Sequence, residues 1–383
     1  MRWNLMAGLP LLLALGCGPK RYECKDPAPS AEPDVELEQC FSGSVPFFDL
    51  ENLAIEGGGA KGVAYGGAVV ALHQAGVLQK LKRVAGTSAG SISAGLIALG
   101  YTPQEFHTAL MNLDLDKFKD DGSVFRLADH FGYYSGEYYL SWAQCQVARK
   151  TGDANTTFQQ LHERNQKQGL PDLYIVTTDL SHARWEVLSH ETVPCMPVAL
   201  AMRLSGSLPF FFDALRLDLK RFKYGPDGTC RAPGELGSDK EGNVFADGGV
   251  LFNYPLALFD TEIVDGKSVE RINFKSLGLH LDSRSDDTKN LTINDLPQYA
   301  QAVATTLLQS QVDYFEHSPC DQARTARIND LGVSTEDFNL SRAEKLALIR
   351  SGFKGTCEFL KSWTPQSVQS ACEGARPSRT VAR

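Results

Sequence analysis

Three short runs hold residues that could do chemistry together. Gly86-Thr87-Ser88-Ala89-Gly90 has the form G-x-S-x-G. Gly57-Gly58-Gly59-Ala60-Lys61-Gly62 is a glycine-rich loop, and Ala246-Asp247-Gly248-Gly249 sets a carboxylate before two glycines. In the first run, Gly86 and Gly90 let a strand turn sharply into a helix while two backbones pass closely, which leaves Ser88 exposed at the helix N-terminus. The helix dipole favours negative charge there, so Ser88 is a candidate nucleophile. The same residues also suit a plain tight turn with a capping serine. The glycine loop offers bare N–H groups to an anion. That anion is either the oxyanion of a tetrahedral acyl intermediate or, since the run satisfies G-x-G-x-x-G, the phosphates of a dinucleotide. A dinucleotide site wants an acid about twenty residues further on, to hold the ribose. The stretch Val77–Val84 contains none, and only Arg83 could serve a 2′-phosphate instead. The oxyanion is the better reading.

A serine nucleophile needs a base. Asp247, at a strand end before two glycines, lies in a crevice with room for close approach. His280, in INFKSLGLHLDS, is the rival: Ser88, Asp247 and His280 follow the chain order of a Ser-His-Asp α/β-hydrolase. A lone histidine on an apolar strand equally reads as a core residue.

These side chains need a frame. Leu53-Ala54-Ile55 reads as a strand entering the glycine loop, and GVAYGGAVVALHQAG as a helix closing at Gly76. Residues 77–84 lead into a second strand, then the serine turn, then a small-residue helix closing at Gly100. This is a βαβ unit of a parallel sheet. The spacing puts the glycine loop and Ser88 at the carboxyl ends of neighbouring strands, where loops share a crevice. Residues 103–170 read mostly as helices with an aromatic cluster, HFGYYSGEYYLSW. DLYIVTTD and RWEVLS read as a strand and its return. A helix from Pro197 to Arg203 breaks at Ser205-Gly206-Ser207-Leu208-Pro209, and a polar insert covers about 220–242. Val244-Phe245-Ala246 and Ile272 to Leu281 read as strands, and the chain beyond about 292 as helices. The aromatics suit core packing first and acyl-chain guidance second.

The combination IEGGGAKG, GTSAG and ADGGVLFNYP, in this order, resembles the patatin-like phospholipase family, and VALAMRLSGSLPFFF and TARINDLGVSTEDFNLSRAEKLALIRSG are similar to later parts of bacterial members. The resemblance covers about residues 50–362. It implies a three-layer α/β fold, with a central mainly parallel sheet and helices on both faces. It also implies cleavage of lipid acyl esters by a Ser–Asp dyad without histidine. By position, Ser88 is then the nucleophile and Asp247 the base. Gly57, Gly58 and Gly59 line the oxyanion hole, Lys61 and Gly62 support its loop, and Gly86 and Gly90 shape the turn at the nucleophile. Neither metal nor organic cofactor is expected. The expected partner is a phospholipid or other acyl-ester lipid. A non-catalytic lipid-binding protein of the cell envelope on the same fold is the alternative from another class. The polar insert and the cysteines depart from the family pattern.

The 383 residues are 43% hydrophobic with a net charge of −8, which leaves no electrostatic footprint for nucleic acid and little for anionic membranes. MRWNLMAGLPLLLALGC begins with a cationic residue and a short apolar run, the form of a signal peptide. It ends in Leu13-Ala14-Leu15-Gly16-Cys17, which resembles a lipoprotein signal with Cys17 as lipid anchor to a membrane surface. Eight cysteines remain, an even number that suits disulfides in an exported protein. The expected organisation is a signal peptide over 1–17, a flexible tether over 18–46, an acyl hydrolase domain over 47–365 and a tail over 366–383. The expected location is a bacterial envelope or the exterior.

Overall fold

The computed structural model describes residues 22–24, 37–230, 242–264, 267–282 and 317–375, with isolated positions between 293 and 311. The segment expected as a signal peptide, with Cys17, lies outside the described residues, as does most of the second half of the polar insert. Twelve strands are present among them: β1 Asn52–Ile55, β2 Arg83–Thr87, β3 Gly132–Tyr134, β4 Asp172–Asp179, β5 Arg184–Leu188 and β6 Phe210–Phe212. They continue with β7 Leu215–Leu217, β8 Asn243–Asp247, β9 Thr261–Val264, β10 Lys267–Glu270, β11 Ser276–Asp282 and β12 Thr325–Asn329. The helices of use here are α1 Tyr65–Gln74, α2 Ala89–Ala98, α3 Pro103–Met111, α4 Val124–Asp129, α5 Glu137–Thr151 and α6 Phe158–Gln168. After them come α7 Val198–Ser205, α8 Gly249–Phe252, α9 Pro319–Ala323, α10 Arg342–Ser362 and α11 Pro365–Ala371.

Eight strands form one sheet in the order β12-β11-β1-β2-β4-β8-β7, with β5 paired to β4. From β12 to β4 all neighbours run parallel, while β8 and β5 run antiparallel to β4. The strands alternate as the pleat requires. Leu53, Ile55 and Val84 join the large core with α1, α2, α7 and α10, whereas Ala54, Ala85 and Tyr174 face the other way. That second face is covered by a 3₁₀ segment, Pro255–Asp260, through Leu256 and Phe259. The α/β fold with helical layers over a mainly parallel sheet is therefore as expected.

Three details differ from the sequence reading. The chain beyond 292 is not helical alone, because Thr325–Asn329 forms the edge strand β12, burying Ala326 and Ile328 against β11. The segment expected as a tether is fastened to the domain. Cys24 bonds to Cys145 on α5, and buried Cys40 bonds to Cys357 on α10. The boundary at 365 cuts into α11, whose end is held by a Cys320–Cys372 bond. With Cys195–Cys230, all eight cysteines beyond Cys17 are paired.

Candidate active site

Sheet register brings the three motifs together. Thr87 at the end of β2 faces Val176 on β4, and Thr177 faces Asp247 at the end of β8. Ser88 and Asp247 thus meet across the single strand β4. Ile55 faces both Gly86 and Leu279, so Glu56 and the glycine loop stand between Ser88 and His280.

Ser88 caps α2 with φ 52° and ψ −124°. A non-glycine residue avoids that region at a cost of about 1–3 kcal/mol, and such strain gathers at active sites. The turn closes because Gly86 and Gly90 touch backbone directly: a Cβ at Gly86 would collide with the Gly90 carbonyl, and one at Gly90 with that of Ile55. The Ser88 N–H donates to Ser205 Oγ at 2.8 Å, and Ser205 in turn donates to the Val176 carbonyl at 2.6 Å. Ser205 is the last residue of α7, where the SGSLP turn begins, so that turn anchors Ser88.

The Ser88 hydroxyl donates to Asp247 Oδ2 at 2.6 Å. Asp247 Oδ1 accepts the Gly249 N–H at 2.7 Å, which is what the following glycines permit. Its own N–H donates to the Ser207 carbonyl, fixing the carboxylate from the SGSLP side as well. The side chain is 2% exposed. Burial pushes its pKa up to about 7, against the bonds from Ser88 and Gly249, which pull it down. A carboxylate near neutrality is a far better match to proton transfer than an ordinary aspartate.

The glycine loop is only partly available. Gly57 lines the cavity, but its N–H is spent on the Asn253 carbonyl at 3.1 Å, which corrects its expected place as an oxyanion donor. The N–H groups of Gly58 and Gly59 have no partner among the described residues. Gly59 holds φ 55°, and a Cβ there would strike the Thr335 carbonyl, so only glycine fits. Lys61 is no solvated charge: its Nζ lies 2.7 Å from the buried Asp330 carboxylate just beyond β12, tying the loop to the sheet edge. At Gly62 a Cβ would come within 2.8 Å of Ala89, so the loop rests on the start of α2.

His280 faces the same cavity, 2% exposed, but its Nδ1 lies 2.8 Å from Glu56 Oε2. Burial works against its charged form, yet the Glu56 carboxylate outweighs that, and its pKa stands above the usual histidine value. Glu56 also accepts from Asn253 Nδ2 at 3.2 Å and from the Leu281 N–H at 2.8 Å. Sequence reasoning missed this network. The Glu in IEGGG and the Asn in LFNYP were within the motifs, but nothing local says that they meet.

These groups line a cavity of about 470 Å³. Its polar floor holds Ser88, Asp247, Gly58 and Gly59, and its walls include Ile92, Phe118, Leu208, Phe212 and Phe338. Of the aromatic cluster, Tyr139 reaches the cavity while Trp142 is core. The arrangement can deliver a serine oxygen to an electrophilic carbon beside an apolar slot.

The family described as patatin-like phospholipase matches residues 53–260, more than half of the chain. The uncharacterized protein YqhO of Bacillus subtilis (strain 168) is 30% identical over 323 residues, spanning 80% of this chain and 97% of YqhO. A protein named probable lipid hydrolase 463L, of Invertebrate iridescent virus 6, is 24% identical over 212 residues, spanning 54% of this chain and 62% of its own length. Among solved structures, VipD from Legionella pneumophila shares the fold with a TM-score of 0.52 at 17% identity, covering 82% of this chain and 67% of VipD. The family match takes in the glycine loop, the serine turn and Asp247 alike, and the chain belongs to the patatin-like phospholipase family.

Proposed function

We propose that the protein is a serine-dependent lipid acyl hydrolase of the phospholipase A or lysophospholipase type. The observation that carries this reading is the 2.6 Å bond from Ser88 Oγ to Asp247 Oδ2 at the floor of an apolar-walled cavity. In the proposed reaction Asp247 Oδ2 takes the hydroxyl proton as Ser88 Oγ attacks the acyl carbonyl. The oxyanion accepts from the N–H groups of Gly58 and Gly59, where one donor is worth about 3–4 kcal/mol. The ester C–O bond then breaks, and Asp247 returns the proton to the departing alcohol oxygen. Water repeats the sequence on the acyl-Ser88 ester: Asp247 takes its proton, the fatty acid leaves, and Ser88 recovers its hydrogen.

The dyad reading is supported over a triad through His280 by the Ser88 hydroxyl bonding to Asp247, while the His280 Nδ1 stands 2.8 Å from Glu56. The strained turn at Ser88 speaks against a purely binding role. The name of the viral relative, lipid hydrolase, agrees with the substrate class. Four disulfides suit an oxidising compartment. Export with Cys17 as lipid anchor is part of the proposal; absence of any acyl label on Cys17 of the wild-type mature protein would oppose it.

The test is product profiling with an active-site label. The purified chain should release fatty acid from phospholipid vesicles, and a serine-directed phosphonate should stop turnover while adding mass to the peptide that contains Ser88. Turnover that survives full labelling of Ser88, or a label on another residue, would overturn the assignment.

A further inference from the structure

Val124, Phe125, Phe131 and Phe210 are large apolar side chains left in water, and Phe125 is 80% exposed. They lie on two separate stretches that the fold joins. Gly132, next to Phe131, faces Phe210 in the short parallel ribbon β3–β6, and α4 packs on β3. Phe131 and Phe210 hold φ of 62° and 65°. Bulky residues are genuine outliers there, and such strain is a pointer to function. Here it accompanies two rings held in solvent.

The patch is continuous with the cavity. Leu208 and Phe212 line the cavity wall, and exposed Phe210 lies between them in the same run. An acyl chain could pass from the patch to Ser88 along apolar surface. Most neighbouring cations pair with acids: Arg126 with Asp121 and Asp213, Lys117 with Asp114, and Lys119 with Asp116. Arg216, whose guanidinium lies over the Phe131 ring at 5.4 Å, is matched in number by the exposed Asp129 at the end of α4, two residues from Phe131. The surface therefore has no cationic surplus for drawing in an acidic partner.

A second observation concerns the start of the chain. The Tyr22 N–H donates to Ser141 Oγ on α5, its ring meets Tyr138 edge-on at 5.6 Å, and Cys24 is bonded to α5. Helix α5 follows β3 directly. Five Cα–Cα steps lead from Cys17 to Tyr22, a reach of at most about 18 Å. A lipid on Cys17 would hold the bilayer within that distance of the same part of the molecule.

We propose that Val124, Phe125, Phe131 and Phe210 form a docking surface for a net-neutral phospholipid bilayer, entering its acyl region beside the cavity mouth. The proposal rests on the acyl hydrolase reading for its substrate, but binding is measured apart from turnover. The probe is vesicles of phosphatidylcholine, and the protein is the mature full-length chain carrying Cys17→Ser, so that no acyl anchor contributes.

Flotation should show the parent bound, and Val124→Asp/Phe125→Asp weakened by about tenfold or more. Phe210→Ser should weaken binding in the same direction. Both variants should keep hydrolysis of a dispersed short-chain ester within about twofold, since none of the three residues lines the cavity or meets the reacting atoms. Raising salt from about 0.05 to about 0.5 M should leave parent binding unchanged, because screening acts on charges. Unchanged vesicle binding in both variants overturns the proposal. So does parent binding that collapses with salt, or a parent that ignores vesicles but self-associates through these residues. A parent that floats with vesicles yet cleaves no ester supports the docking and overturns the hydrolase reading alone.

Discussion

Asp247 and Glu56 are both buried carboxylates on one cavity, at 2% and 5% exposure, and their neighbours differ. Asp247 accepts one hydroxyl and one backbone N–H, with no cation among these bonds. Its charge is poorly compensated, and burial pushes its pKa to about 7. Glu56 accepts from Asn253 and Leu281 and faces the His280 imidazole, whose own pKa it holds up. Equal burial thus gives opposite characters. A carboxylate surrounded by donors and an imidazole is a fixed post, here for the residue that precedes the glycine loop. A carboxylate left with a serine hydroxyl suits the proposed base.

The largest expected effect tests the first half of this contrast. Ser88→Ala and Asp247→Ala should each lower kcat/KM by roughly 10⁴ or more, and the double variant should be no worse than either, because groups acting as one unit are non-additive. Near-full activity in Asp247→Ala would break the contrast at its centre. The second half predicts a different response. His280→Gln keeps a donor for Glu56 and should retain activity within about tenfold, with a lower Tm. Glu56→Ala removes the carboxylate that faces His280 and accepts from Asn253 and Leu281, and should cost about 3–5 kcal/mol in denaturant unfolding. If folded His280→Gln is as inactive as Ser88→Ala, the histidine is the base and the roles of the two carboxylates must be redrawn.

What could be read from the sequence follows the range of the interactions. The turn at Ser88 is local: Gly86, Ser88 and Gly90 shape it within five residues, so the motif exposes it. Asp247 was legible because the glycines after it mark a carboxylate allowed close approach, and Gly249 does bond it. The Glu56–His280 contact joins strands β1 and β11 across more than two hundred residues, and no spacing rule reaches that far. The same holds for the ion pair of Lys61 with Asp330, which no local spacing announces. Gly57 looked like its neighbours as a donor until the Asn253 carbonyl claimed its N–H. Strand β12 is five residues long, between helical stretches, and its period-two signal in Ala326 and Ile328 is too short to stand out. Residues 37–46 looked like a tether from their composition, yet a disulfide and the Phe48 contact with Trp363 hold the chain there.

The smallest effect is the most specific to Asp247, and it separates function from stability. In the proposed reaction the proton on Ser88 is taken by ionised Asp247. With a pKa near 7, kcat/KM should fall about tenfold per pH unit below that point and level off above it. Stability runs the other way. The folded pKa lies above the unfolded value of about 4, so this group's contribution is fully present below about pH 4 and is lost as pH rises through about 7. Asp247→Asn removes that loss while keeping both contacts: the amide oxygen can accept from Gly249, and the NH₂ can donate to Ser88 Oγ. The variant should be inactive, yet melt above the wild type at about pH 8, by at most about 4 kcal/mol for a shift of this size. Near pH 3 the two should melt together, since the wild-type carboxyl is then protonated in both states. The measurement is Tm for both proteins across this range, beside the wild-type rate profile. A rate that is flat through pH 7, with no stability gain for Asp247→Asn at the alkaline end, would show that burial has not raised this carboxylate. It would then be as ordinary a group as its motif alone suggests, and the difference from Glu56 would lie elsewhere.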